Sequence, residues 1–200
     1  LYLADASAVE YWRRAEPSAK TRARAATPFG QDRETPPFSA SDLAALEEAG
    51  VGWLSEPIHL LAPDASSRRR CKRTKLHVCS HRLPERSFVK LSRRVMVASP
   101  ELTCLSIAPS TPFPLLVEFL YELCGRYRLP DGRGGDAVEL PPATTVAGIE
   151  RFADKARGVR GAADVKRALR YACDNSLSPM ETDIAETMVF DPRMGGLGLE

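Results

Sequence analysis

Six cations crowd into eight consecutive positions of this chain: Arg68, Arg69, Arg70, Lys72, Arg73 and Lys75, with no acidic residue among them. Charges held this close repel one another, so the segment gains when an anion such as a phosphate backbone lies against it. Arginine predominates, and its planar fork suits bidentate phosphate contact. No aromatic side chain interleaves the run, which favours a duplex backbone over a single strand. The same run also reads as a solvated loop held extended by its own charge.

His77, Cys79 and His81 alternate along one stretch, with Cys71 nearby. A strand advances about 6.6 Å per two residues, which puts His77 and His81 roughly 13 Å apart. Zinc donors must all come within about 2.0–2.3 Å of one ion. The expectation is therefore that these histidines and cysteines hold no metal. Glu118 and Glu122 are spaced for one helix face and read as a solvated pair rather than as catalytic carboxylates. No Gly-x-Ser-x-Gly elbow, phosphate loop or oriented Cys-His pair is present. Ser178-Pro179-Met180-Glu181 has capping-box spacing, which by itself accounts for Glu181.

Local signals place these residues on elements. Ser7 to Glu10 predicts a capped helix over about 8–15, and a Pro-rich stretch over 16–38 predicts a linker. Ser39 and Asp42 open a helix that Gly50 stops. From Ile58 the period changes to short β-rich runs at 58–61, 76–79, 88–91 and 95–98. The gaps after Cys79 and Leu91 are too short for crossover helices, so an antiparallel sheet is expected. Ser99-Pro100 and Pro114 start two helices. The second carries a stripe of Leu116, Phe119, Leu120, Leu123, Cys124 and Tyr127 that should face the sheet. A Gly- and Pro-rich segment follows, then helices near 146–157, 162–174 and from Pro179. The expected class is α+β: a small antiparallel sheet packed on helices, with a helical C-terminal tail. The expected division is a helical lead over 1–57, an α+β core over 58–128, a linker over 129–145 and a tail over 146–200.

Composition bounds the rest. A hydrophobic share of 44% with 27% charged residues supports a real core. No apolar run reaches the roughly 18 residues a membrane span needs, and no export pattern opens the chain. The net charge of +2 averages away the basic run. Five cysteines, odd in number and widely spread, read as reduced thiols of a cytoplasmic protein rather than a disulfide framework.

Several stretches in order resemble bacterial proteins related to AbiEi-type antitoxins, some of which continue into a nuclease-like domain similar to very-short-patch-repair endonucleases. They are Ile58-His59-Leu60-Leu61-Ala62-Pro63, Lys75-Leu76-His77-Val78, Phe88-Val89 and the segment from Val95 to Leu102. Tyr121-Glu122-Leu123-Cys124-Gly125 and Ser178-Pro179-Met180-Glu181-Thr182 complete the set. The resemblance implies a sensing or regulatory module upstream of a PD-(D/E)xK nuclease core, to which a helix can contribute a glutamate; Glu181 is the matching position. No lysine follows Glu181 in this chain, so the Glu-x-Lys pair of such cores cannot be built. The chain alone is therefore expected not to be catalytic and to carry no cofactor, a divalent metal such as magnesium belonging to a longer parent. Gly195-Gly196-Leu197-Gly198 leads off the end, and the last helix is expected to expose Ile184 or Met188.

Two functional expectations follow. One is a regulatory part of a bacterial defence protein that touches DNA through Arg68 to Lys75. The other is an interaction module that binds a cognate toxin, with the basic run merely solvated.

Overall fold

The computed structural model describes residues 1–15, 24–25, 38–64, 71–132 and 135–199. Arg68, Arg69 and Arg70 lie outside the described residues, as does nearly all of the Pro-rich stretch. The class is α+β. In chain order the main strands are Tyr2–Leu3 (β1), Arg24–Ala25 (β2), Ile58–Ala62 (β3), Thr74–Val78 (β4), Phe88–Lys90 (β5) and Met96–Ala98 (β6). They form one sheet in the order β2-β5-β6-β1-β3-β4. Tyr127–Arg128 (β7), at the end of the expected core, and Val138–Glu139 (β8), inside the segment expected to be a linker, make a separate antiparallel ribbon. The helices are Asp5–Arg14 (α1), Ala40–Glu48 (α2), Pro100–Ile107 (α3), Phe113–Cys124 (α4), Val146–Lys155 (α5), Ala162–Ala168 (α6) and Pro179–Val189 (α7).

The sheet is mixed where an antiparallel one was expected. β5 and β6 pair antiparallel across their short connection, but β3 runs parallel to β4 and β1 parallel to β6. β1, antiparallel to β3 through Leu3 and Leu60 and parallel to β6, is inserted between the two pairs. A two-residue strand leaves too short a pattern to be read as one. Leu3 is fully buried there, so residues on both sides of position 57 share one core.

The helix starts follow their local chemistry. Ser99 Oγ accepts from Leu102 N at 3.2 Å and Ser178 Oγ from Glu181 N at 3.2 Å, each ahead of a proline in the first turn. At α2, Asp42 reaches back to accept from Ser39 N at 2.9 Å, and Gly50 follows with φ of +73°. α1 departs from expectation: it begins at Asp5, and Ser7 does not cap it. The Ser7 hydroxyl instead accepts from His59 N at 2.8 Å, which ties the helix to β3.

α1 packs on β3 and α3, and α3 on β6. The apolar stripe of α4 is buried as expected, yet it lies on α3 and α6 rather than chiefly on the sheet. Each fully buried leucine of this layer, such as Leu105, Leu120 or Leu123, contributes about 1.5–3 kcal/mol over an exposed one. All five thiols are free; Cys104 and Cys124 are buried in that layer and Cys173 is exposed. Among the described residues no helix is long and apolar enough to cross a membrane. Ile184 and Met188 are exposed, together with Leu177, Met180, Leu197 and Leu199.

Burial in this core has a consequence for alkaline stability. It pushes up the thiols of Cys104 and Cys124, the phenol of Tyr11 to about 12, and the phenols of Tyr121 and Tyr127. The folded state therefore resists ionisation that the unfolded chain allows. The associated stability is fully present below the unfolded values, roughly 8.5 for Cys and 10 for Tyr, and is lost as pH rises through the folded ones. Urea midpoints are expected to fall progressively above about pH 8.5. Midpoints unchanged to pH 11 would mean that these groups are solvated.

Candidate functional site

The sheet order brings together three side chains that are far apart in sequence. β1 ends at Leu3, and Ala4 N donates to His59 O at 3.0 Å, carrying the pairing one residue further. The chain then turns into α1 through Asp5, whose φ of 50° is a left-handed conformation that few residues other than Gly, Asn and Asp adopt. That turn aims the carboxylate back over the strand. Its Oδ1 accepts from Ala6 N at 3.0 Å and stands 2.9 Å from His59 Nδ1.

The second histidine arrives through the β3–β4 register. His59 pairs with Lys75 and Leu61 with His77, so these four residues lie on one face of the strand pair. His77 Nε2 lies 3.0 Å from His59 Nδ1, and His77 Nδ1 lies 3.7 Å from Asp5 Oδ2. The two rings are tilted by 33° with centroids 4.9 Å apart. One donor atom from each of Asp5, His59 and His77 lies within 4.8 Å of the others; among the described residues this is the one such group of His, Cys, Asp and Glu. All three residues are partly shielded, with side-chain exposures of 15% for Asp5, 11% for His59 and 26% for His77.

The expectation weighed His77 against His81 along one strand, but β4 ends at Val78 and the pair forms across two strands. His77, Cys79 and His81 are not brought together: the Cys79 thiol points to His81 O at 3.9 Å and the His81 ring faces Gly158. His77 finds His59 instead. A signal existed in the sequence, since His59 and His77 both sit in β-rich runs, but nothing local set their register.

The basic run is only partly described. Lys72, Arg73 and Lys75 are exposed at the start of β4, which is the outermost strand on its side of the sheet. Arg73 is engaged with Glu56, its Nε donating to Oε1 at 2.8 Å. That hydrogen bond holds the Glu56 carboxyl below its usual range. Glu181 sits at the start of α7, where its carboxylate accepts from Leu177 N at 2.8 Å. It is a capping residue, remote in sequence and partners from Asp5, His59 and His77.

Glu122, expected on a solvated face, is buried. Its carboxylate takes Arg13 Nε at 3.0 Å and Leu129 N at 3.2 Å. Beside it Arg128, also buried, donates to the carbonyls of Glu122, Tyr127 and Pro141, closing the C-terminal end of α4. Burial pulls its guanidinium down to about 10, which leaves it charged at neutral pH. A cleft of about 670 Å³ between these elements is lined by Asp5, Glu10, Arg13, Arg14 and Asp131 among others. Its arginines are matched by Glu122, Glu10 and Asp131, so neither guanidinium is left over for an anion. Comparison with protein-family models, with curated proteins and with solved structures finds no match to this chain.

Proposed function

We propose that this chain is the regulatory, nucleic-acid-contacting part of an antitoxin-like or nuclease-linked bacterial defence protein, with Arg68 to Lys75 as its phosphate contact. The observation that carries the reading is the position of the segment's end. Lys72 and Lys75 are exposed at an edge strand, where a rigid sheet presents them to a ligand as long as a duplex. The order of segments that resembles AbiEi-type antitoxins points the same way. Arg73 contributes less, because it is already paired with Glu56.

Backbone contacts release counterions, so affinity for a short duplex should fall by about 0.9 log units per log unit of salt for each phosphate neutralised. With four or five cations engaged, the slope is expected near −4 to −5, and Ala at Arg68, Arg69 and Arg70 should flatten it by about three units for all sequences alike. Equal slopes for the wild type and the triple variant would leave the segment a solvated connection.

One observation favours the second reading, an interaction module that meets a cognate toxin. Leu177, Met180, Ile184 and Met188 are all exposed on or just before α7, with Leu197 and Leu199 beyond it. Scattered apolar side chains are ordinary on surfaces, whereas a group on one helix is more often an interaction face. A salt-independent complex that Ile184→Asp abolishes would move this reading to first place.

A further inference from the structure

We propose that Asp5, His59 and His77 form a three-ligand site for a divalent transition-metal cation of the zinc type. The inference is independent of the nucleic-acid reading, and it starts from a proton count. His59 Nδ1 faces a carboxylate oxygen at 2.9 Å and an imidazole nitrogen at 3.0 Å. It carries at most one proton. When that proton points at Asp5, the His77 nitrogen receives at best a share of it. When His77 donates to His59, the Asp5 oxygen keeps its bond from Ala6 N but faces a lone pair on His59. Three electron-pair donors thus converge on a small volume, and no single tautomer places a proton in both His59 contacts. A cation satisfies all three at once.

The two His59 distances suit that cation. Two donors each about 2.0–2.1 Å from zinc stand roughly 2.9–3.4 Å apart for angles of about 90–110°. The His59 contacts to Asp5 and His77 fall at the short end of that span. The donor set, two imidazoles and one carboxylate, is the kind that takes zinc or iron(II), and hard oxygen-seeking cations such as magnesium are less well served by it. Three protein ligands leave a coordination position open, and the partial exposure of His77 and Asp5 allows water to reach it.

The scaffold supports preorganisation. Each ligand comes from a different segment: the β1–α1 turn, β3 and β4. The His59 backbone is fixed on both sides, its N–H donating to Ser7 Oγ and its carbonyl accepting from Ala4 N. The left-handed backbone at Asp5 is a local strain that the surrounding hydrogen bonds hold in place, as is frequent where a side chain must be aimed.

The test is a titration of chelator-treated, full-length protein with cobalt(II), followed by competition with zinc. One equivalent should bind, with visible ligand-field absorption and no thiolate charge-transfer band, because no cysteine belongs to the group. Zinc should raise the melting temperature. His77→Ala and Asp5→Asn should each weaken binding by about tenfold or more, since even outer-shell changes cost about that much. Asn tolerates the left-handed backbone at position 5, and circular dichroism of each variant reports whether it folds. The wild-type titration stands alone if a variant does not. Absence of saturable binding, a thiolate band, or unchanged affinity in folded His77→Ala would overturn the proposal. In that case the three side chains only share a proton.

Discussion

Glu122→Ala is expected to lower unfolding free energy by about 3–5 kcal/mol, the usual cost of removing one partner from a buried ion pair. The cause is what remains behind. Arg128 has almost no exposure, and Glu122 is the carboxylate whose field favours its charged form. Without it a guanidinium stays inside the protein with carbonyl partners alone, and Leu129 N loses its acceptor. Arg13→Ala removes the same salt bridge from its other side, where the side chain is 26% exposed. Its cost should be smaller, about 1.5–3 kcal/mol for hydrogen bonds to a charged group. Urea unfolding of both variants at pH 7 measures the difference. Losses below about 1 kcal/mol for Glu122→Ala would mean that water reaches the site.

The pH dependence of this group runs opposite to that of a surface salt bridge. Burial pushes the Glu122 carboxyl up, and Arg13 draws it only partly back. Its folded value exceeds the unfolded one, so its contribution is fully present below the unfolded value of roughly 4.3 and is lost as pH rises through the folded value. The ion pair is thus a point of architecture that costs desolvation, and the asymmetry between the two alanine variants is its signature.

Gly161→Ala should destabilise by about 2–5 kcal/mol. Two terms contribute: about 1–2 kcal/mol for placing an L side chain in the left-handed region and about 1–3 kcal/mol for overpacking. Gly161 has φ of +92°, and a Cβ added there would sit 2.1 Å from the carbonyl oxygen of Leu105 in α3. A carbonyl in a packed helix cannot move aside, so the α5–α6 bend would have to lift off α3. Gly158, three residues earlier in the same bend, is the control. It has φ of +79°, but the nearest neighbour of an added Cβ is the His81 ring at 3.5 Å. Gly158→Ala should cost only the conformational term, about 1–2 kcal/mol. Equal melting temperatures for the two variants would refute the close-approach argument.

Local physics made much of the fold legible. A serine that caps with its own hydroxyl, a proline in the first turn and a glycine past the last turn act within four or five residues. The starts at Ser39, Ser99 and Ser178 and the stop at Gly50 therefore stand where the sequence places them. Period carries equally well: the runs at Ile58, Leu76, Phe88 and Val95 are strands, and the α4 stripe is buried. Together they determine the α+β class.

Pairing was decided only in three dimensions. The strand order depends on β1, two residues whose pattern is too short to read, yet it sits between β6 and β3. Whether Glu122 is solvated depends on Arg13, 109 positions away in the chain, and i,i+4 spacing with Glu118 is silent on that. The candidate metal site shows the same division most clearly. Residue types and periodicity mark His59 and His77 as strand histidines, but a slip of one residue in β3–β4 register would send His77 to the opposite face from His59. Asp5 joins them from 54 positions before His59 because the sheet places the end of β1 beside β3. Spacing along a strand argues about distances within one segment. Convergence between segments is set by which strands become neighbours, a choice that the burial of Leu3, Leu60 and Val97 in a shared core makes for the chain as a whole.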